Sequence, residues 1–128
     1  MNKKTILITG ASSGVGLMLA HHFSNAGFFV IGAARRLDKM NQEFDRNENI
    51  SIEYLDLNDV DSIVPFVKKI KRNYGVVSYL INNAGINIQK KSERIKKNDL
   101  NESFNVNAFS PFFLMKEFLA QMEQDNFG

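Results

Sequence analysis

The apolar positions of this chain fall into two kinds of block. Runs at 5–9 (TILIT), 28–34 (FFVIGAA) and 76–81 (VVSYLI) carry β-branched and aliphatic residues with little polar interruption. Such short continuous runs predict strands buried on both faces, as in a parallel sheet. The stretch 50–55 alternates instead, with Ile50, Ile52 and Tyr54 on one side, and predicts a further strand. Between the runs apolar residues recur every three or four positions. Val15, Leu19 and Phe23 form one stripe, and Val60, Ile63, Val64, Val67 and Ile70 a second. Leu100, Phe104, Ala108, Phe112, Met115, Leu119 and Met122 share a third face over 99–125. Each stripe predicts an amphipathic helix turned toward the sheet. Strands alternating with helices predict an α/β fold with a doubly wound parallel sheet.

The interruptions add detail. Gly27 follows Ala26 as a C′ stop for the first helix. Residues 37–49 read as a short polar helix and loop, and 86–98, polar and lysine-rich, as a surface loop near the substrate side. Lys68, Lys69, Lys71 and Arg72 form a solvated helix face. Pro65 is uncomfortable inside a helix, so that helix either starts later than Asp59 or bends. Phe109, Phe113 and Phe118 add apolar surface beyond one stripe of the last helix, which predicts a partner helix.

Bulk properties narrow the class. The 128 residues make one domain, 1–128, with the 44% apolar and 23% charged content of an ordinary globular chain. A net charge of +2, with lysines spread over several segments, gives no case for nucleic acid. The absence of cysteine excludes disulfides and thiolate metal sites and suits a cytoplasmic protein. His21 and His22 are adjacent, point in different directions on a helix, and read as a solvated face; no metal site is expected. Met1-Asn2-Lys3-Lys4 before an apolar stretch imitates a secretory leader, but Gly10, Ser12, Ser13, Gly14 and Gly16 interrupt that stretch. No apolar run reaches membrane-spanning length.

The candidate chemistry starts where the first strand ends, at Thr9-Gly10-Ala11-Ser12-Ser13-Gly14-Val15-Gly16. Glycine permits positive φ and close approach of a ligand. The following helix begins with unpaired N–H groups and the positive end of its dipole, a seat for a pyrophosphate. Strand, glycine turn and helix together open a dinucleotide-binding βαβ unit. In such folds the end of the second strand reaches the adenosine ribose, where an acid selects a free 2′-hydroxyl and an arginine accepts a 2′-phosphate. Here Ala34 stands at the acidic position with Arg35 beside it. Arg35 is expected to hold a 2′-phosphate, against the alternative that both arginines solvate a loop. Arg36 is left to stack on the adenine or point to water.

The TGxxxGxG spacing, and Asn82-Asn83-Ala84-Gly85 at the end of the fourth strand, resemble the short-chain dehydrogenase/reductase family over almost the whole chain. The resemblance implies a Rossmann-like sheet of strand order 3-2-1-4 and an NAD(P)-binding domain that prefers NADP(H). Thr9, Gly10, Ser12, Ser13, Gly14, Val15 and Gly16 would serve the pyrophosphate. Asp56, with Leu57, would meet the adenine, the alternative for Asp56 being a loop or cap acid. Asn83, Ala84 and Gly85 would lie under the nicotinamide ribose. Asn107 in FNVN falls where the family carries its catalytic asparagine. Pro111, four residues on, denies its carbonyl a helical donor, freeing it for a water in a proton relay. The alternative is a kinked core helix in which Asn107 caps itself. Ser78 replaces an Asp that is frequent in the family.

The family's serine and Tyr-x-x-x-Lys do not occur here. Tyr54, Tyr74 and Tyr79 are followed four residues later by Asn58, Ser78 and Asn83. The expectation is therefore the front part of an oxidoreductase that moves hydride between nicotinamide and a carbonyl or alcohol substrate, itself inactive, as a fragment or a shortened gene. The competing reading is a non-catalytic dinucleotide-binding or oligomerisation module. Either way a homo-oligomer is expected, through the fourth-strand edge, the last helix, or both.

Overall fold

Four parallel strands, β1 (Thr5–Thr9), β2 (Phe29–Ala34), β3 (Ile50–Tyr54) and β4 (Tyr79–Ile81), lie in the order β3-β2-β1-β4. This computed structural model describes residues 3–128; Met1 and Asn2, part of the leader-like stretch, lie outside the described residues. β1 pairs with β2 from Thr5↔Phe29 to Thr9↔Ala33, and with β4 from Ile6↔Tyr79 to Ile8↔Ile81. Period-two alternation sends Ile6, Ile8 and Val30 to one face, against α1 (Gly14–Asn25) and α2 (Leu37–Glu43). Leu7, Ile31 and Ala33 face the other way, against α3 (Ile63–Tyr74) and α5 (Ser110–Gln124). The sheet is thus covered on both faces, the condition under which parallel strands read as continuous apolar runs.

α1 ends as expected. Gly27 takes φ +93°. Its N–H reaches the Ser24 carbonyl at 3.2 Å, while the Phe28 N–H reaches that of Phe23 at 3.0 Å. Phe23 and Phe28 meet edge to face with centroids 5.4 Å apart, the apolar contact that accompanies this C-terminal motif. The buried face of α1 differs from the predicted one. Gly16, Ala20 and Ser24 meet the sheet, Leu19 and Phe23 are half-buried, and Val15 is 63% exposed. Small residues let the helix axis approach the strands, which displaces the larger side chains to the flanks.

The Pro65 alternatives resolve simply. A 3₁₀ turn covers Val60–Ser62 and the α-helix starts at Ile63, so Pro65 sits in the first turn, where no intrahelical donor is needed. Phe66 joins Ile63, Val67 and Ile70 in the buried stripe, whereas Val64 is 37% exposed. Two residues of the basic side are engaged: Lys69 pairs with Glu53, and Lys71 donates to the Glu117 carbonyl at 2.8 Å. In β3 the alternation is not the expected one, since Glu53 is buried and Tyr54 is 54% exposed. β4 is also shorter than 76–81, although Val77 still enters the core and the Ser78 N–H reaches the Thr5 carbonyl at 2.9 Å.

The largest departure concerns the last helix. It is broken into α4 (Lys97–Phe104), a π-helical turn (Asn105–Phe109) and α5, with Pro111 in the first turn of α5. The buried stripe is Val106, Ser110, Leu114 and Phe118. The predicted stripe faces outward: Leu100, Phe104, Phe112, Met115 and Leu119 are among the exposed large apolar residues, and Ala108 is exposed. Ser110 belongs to the core because its hydroxyl donates to the Leu57 carbonyl at 2.6 Å, satisfying both groups.

Candidate functional site

The C-terminal ends of the four strands open on one cleft, at the point where β2 and β3 lie to one side of β1 and β4 to the other. In open α/β sheets this switch point is where ligands bind. The cleft holds about 250 Å³. It is lined by Thr9, Gly10, Ser12 and Ser13 from the glycine turn, Arg35 and Arg36 after β2, Asp56 and Leu57 after β3, and Asn83, Ala84 and Gly85 after β4. Ala33, Ala34, Leu55, Ile86, Glu102 and Val106 complete the wall.

The turn is shaped by its glycines. Gly10 and Gly14 take φ +67° and +55°, which other residues adopt at a cost. At Gly16 an added Cβ would stand 2.2 Å from the Gly10 carbonyl oxygen, so the helix start packs directly on the end of the strand. At Gly14 a Cβ would meet nothing within 4 Å, leaving open room beside the first turn of α1. That turn carries no acidic residue, so its positive dipole end stays uncompensated.

Asn83 locks the turn to β4. Its Nδ2 donates to the Thr9 carbonyl at 3.0 Å and to that of Gly10 at 3.4 Å. The backbone N–H groups of Asn83 and Ala84 both donate to Thr9 Oγ1 at 3.1 Å. These bonds tie together strands whose ends are separated by more than seventy residues of chain.

After β2 the two arginines behave differently. Arg36 is exposed, and its Nη2 donates to Ser12 Oγ at 3.2 Å and to Ser13 Oγ at 3.1 Å. Arg35 is exposed on the same rim. Asp56 lines the cleft, and its Oδ1 accepts the Asn58 N–H at 3.0 Å, so one carboxylate oxygen serves the loop.

Asn107 lies behind the wall. Its Oδ1 accepts the Ile86 N–H and its Nδ2 donates to the Ile86 carbonyl, both at 2.8 Å, with a further bond to Ser103 Oγ at 3.3 Å. The carboxamide thus pairs with a backbone residue as a neighbouring strand would, and it holds the segment after Gly85 against the π turn. The self-capping alternative is not what forms. Val15 points outward from α1. In the lysine-rich segment Asp99 accepts Lys90 Nζ at 2.8 Å and the Lys96 N–H at 2.9 Å, and these two donors hold its carboxyl below the usual range.

Ile86, Glu102 and Val106 carry no sequence signal as wall residues. They line the cleft because the Asn107 clip brings their segments together.

A doubly wound parallel sheet with a glycine turn at its switch point defines a Rossmann-like fold. Residues 4–128 match the short chain dehydrogenase family, and the chain belongs to that family. It is 33% identical over 129 residues to a 3-oxoacyl-[acyl-carrier-protein] reductase, FabG, of Buchnera aphidicola, covering 98% of this chain and 52% of that protein. A short-chain dehydrogenase from Streptomyces avermitilis superposes with a TM-score of 0.91 at 31% identity, over 99% of this chain and 47% of the other. An alcohol dehydrogenase from Thermococcus sibiricus, complexed with 5-hydroxy-NADP, superposes with a TM-score of 0.86 at 26% identity, over 96% and 55%. The chain therefore spans about half the length of the relatives it matches.

Proposed function

We propose that residues 1–128 are the NADP(H)-binding domain of a short-chain dehydrogenase-type oxidoreductase acting on a small carbonyl or alcohol substrate. The observation that carries this reading is the cleft itself: a glycine turn locked open by Asn83, facing two arginines and no acid at position 34. The residues fit the group. Gly14 leaves the turn bare for a pyrophosphate, Gly10 and Gly16 let the strand end and helix start pack closely beneath it, and Thr9 and Asn83 form its frame. Ser12, Ser13, Arg35 and Arg36 supply donors for a 2′-phosphate, Asp56 and Leu57 border the adenine, and Ala84 and Gly85 give a flat floor for the nicotinamide ribose. A bound nicotinamide dinucleotide supplies or accepts the hydride.

The chain's own part in the reaction is positional. Asn107 holds Ile86, and so the wall beyond Gly85, at a fixed distance from the turn. Pro111 has no N–H to give the Asn107 carbonyl, which leaves that oxygen able to hold a water. None of the three tyrosines has a lysine four residues later, so no paired phenol is available to move the substrate proton. General acid catalysis contributes on the order of 10²–10⁴-fold. The 128-residue chain is therefore expected to bind dinucleotide without turning over. The exposed stripe on α4 and α5 gives the homo-oligomer its surface, and the cysteine-free composition suits the cytoplasm.

The test has two arms. Titration should give tighter binding of NADPH than of NADH, and equal affinities would reject the cofactor assignment. NADPH oxidation across a panel of aldehydes, ketones and quinones should stay at the buffer rate. A protein-dependent rate abolished by Asn107→Ala would show that the site is complete without the missing tyrosine.

A further inference from the structure

We infer that Asn105 is a positioning residue for the adenine side of this cleft: from the π turn it holds Asn58, and through Asn58 it sets the Asp56 carboxylate. The assignment rests on the NADP(H) reading and extends it to a residue that does not itself line the cleft.

β3 and β4 are the outer strands of the sheet, with β2 and β1 between them. At about 4.8 Å per strand spacing, their ends stand roughly 14 Å apart. The π turn and the start of α5 reach the loops after both. Asn107 pairs with Ile86 on the β4 side. On the β3 side Asn105 Nδ2 donates to the Asn58 carbonyl at 3.2 Å and to Asn58 Oδ1 at 3.1 Å, and Ser110 Oγ donates to the Leu57 carbonyl at 2.6 Å. Two residues five apart on an α-helix stand about 140° apart around its axis. Here the Ser110 N–H bonds to the Asn105 carbonyl, the i→i+5 pattern, which widens the turn and brings the two residues toward one side.

From Asn58 the ties continue to the cleft. The Asn58 N–H donates to Asp56 Oδ1 at 3.0 Å, and the Asp59 N–H to the Asp56 carbonyl at 3.1 Å. The Asn105 amide thus fixes Asn58 at both its carbonyl and its side chain, and Asn58 fixes one oxygen of Asp56. The other, Oδ2, makes no hydrogen bond among the described residues, and Asp56 lines the cleft. Asn58 is exposed, so without Asn105 its two oxygens turn to water and the loop gains conformations. A ligand binding at Asp56 must then order that loop, which weakens its affinity. Ser110, at 0% exposure, anchors the root of the same loop from the core. Asn105 is only half-buried, and replacing it leaves that anchor in place.

The test follows the 128-residue chain by amide NMR, with adenosine 2′,5′-bisphosphate and 5′-AMP as probes. Asn105→Leu, which keeps the volume and loses the donors, should weaken bisphosphate binding about 3–10-fold, the range of one ordinary hydrogen bond. Without ligand, the Asn58 and Asp59 N–H groups should exchange at least about tenfold faster in this variant. The Gly10 N–H, held by the Ala33 carbonyl at 2.9 Å, should keep its rate. Asn105→Gln restores the amide donors on a longer stem and should recover part of both losses, whereas Asn105→Asp, which cannot donate, should not. Unchanged bisphosphate binding in Asn105→Leu, with the unaltered chain binding the probe, would overturn the assignment and leave the NADP(H) reading standing. Faster exchange at Gly10 in step with Asn58 and Asp59 would mark a general loosening and also overturn it. An unaltered chain that binds both probes equally would reject the NADP(H) reading, while an Asn105→Leu loss seen equally on 5′-AMP would uphold the positioning role. An unaltered chain that binds neither probe would reject both.

Discussion

At one edge of the sheet β3 turns Glu53 inward, and at the other β4 offers Tyr79, Leu80 and Ile81 with no charge among them. Glu53 is buried to 7% exposure, pairs with Lys69 and accepts the Tyr74 hydroxyl at 2.8 Å. Those bonds run from β3 to α3 and finish that edge in polar terms. Beside β4 lies instead an apolar groove of about 880 Å³, walled by Phe28 and Tyr79 on one side and by Phe112, Met115, Leu119 and Met122 of α5 on the other. An inward charge is one device by which an edge strand resists further pairing, and a short apolar strand beside an open groove lacks it. The sheet thus has a buried, paired charge on its β3 strand and an open apolar groove beside β4.

α5 sharpens this contrast because it carries phenylalanine on both of its faces. Phe118 is 1% exposed, whereas Phe112, less than two turns earlier, is 53% exposed. Phe118→Ala should cost about 3–5 kcal/mol in urea unfolding, the usual penalty for emptying a buried aromatic site. A loss below 1 kcal/mol would mean that the groove side is looser than drawn.

At the polar edge, Glu53→Ala should cost about 1.5–3 kcal/mol, since it removes an acceptor used by both a lysine and a phenol. The Lys69 side chain is 46% exposed and can return to water, which keeps the figure below that of a fully buried pair. No measurable loss would remove the polar half of the contrast.

The proposed association through the β4 side is probed by Phe112→Asp. Unfolding of the isolated monomer should change by no more than about 0.5 kcal/mol, as for an ordinary surface position. Self-association measured by sedimentation should weaken at least about tenfold, equivalent to 1.4 kcal/mol. Association untouched by the substitution would move the contact away from α5.

The smallest effect concerns pH. Burial, then the hydrogen bond to Glu53, raise the Tyr74 phenol above its ordinary 10.0. The folded state therefore keeps a proton that the unfolded chain releases first. The stability this contributes is present below pH 10.0 and is lost as pH rises from there through the folded value. Tyr74→Phe should show a shallower decline above pH 10.0 than the parent, with the two curves parallel below it.

Much of this was legible along the chain. β1, the glycine turn and the Gly27 stop depend on local rules, continuous apolar runs and positive φ, whereas the strand order followed from the resemblance to the short-chain dehydrogenase/reductase family. The residues at the ends of the strands could be named as a set, because a parallel sheet brings its C-terminal ends to one side. The face that α5 buries was not legible. With apolar residues on two sides, period alone does not choose between them, and the buried stripe includes Ser110, whose partner is the distant Leu57 carbonyl. The burial of Glu53 was hidden for the same reason, since the side chains that satisfy it come from α3.

Sequence by itself determined the alternation of strands with helices and the glycine turn, because each rests on backbone preference and on neighbours three or four residues away. Tertiary structure decided which arginine is held, which helix face is covered and where Asn107 points. Those outcomes depend on partners brought together from distant segments: Arg36 with Ser12 and Ser13, Ser110 with Leu57, Asn107 with Ile86. No spacing along the chain encodes such pairs; they exist only once the sheet has set the distance between its strand ends.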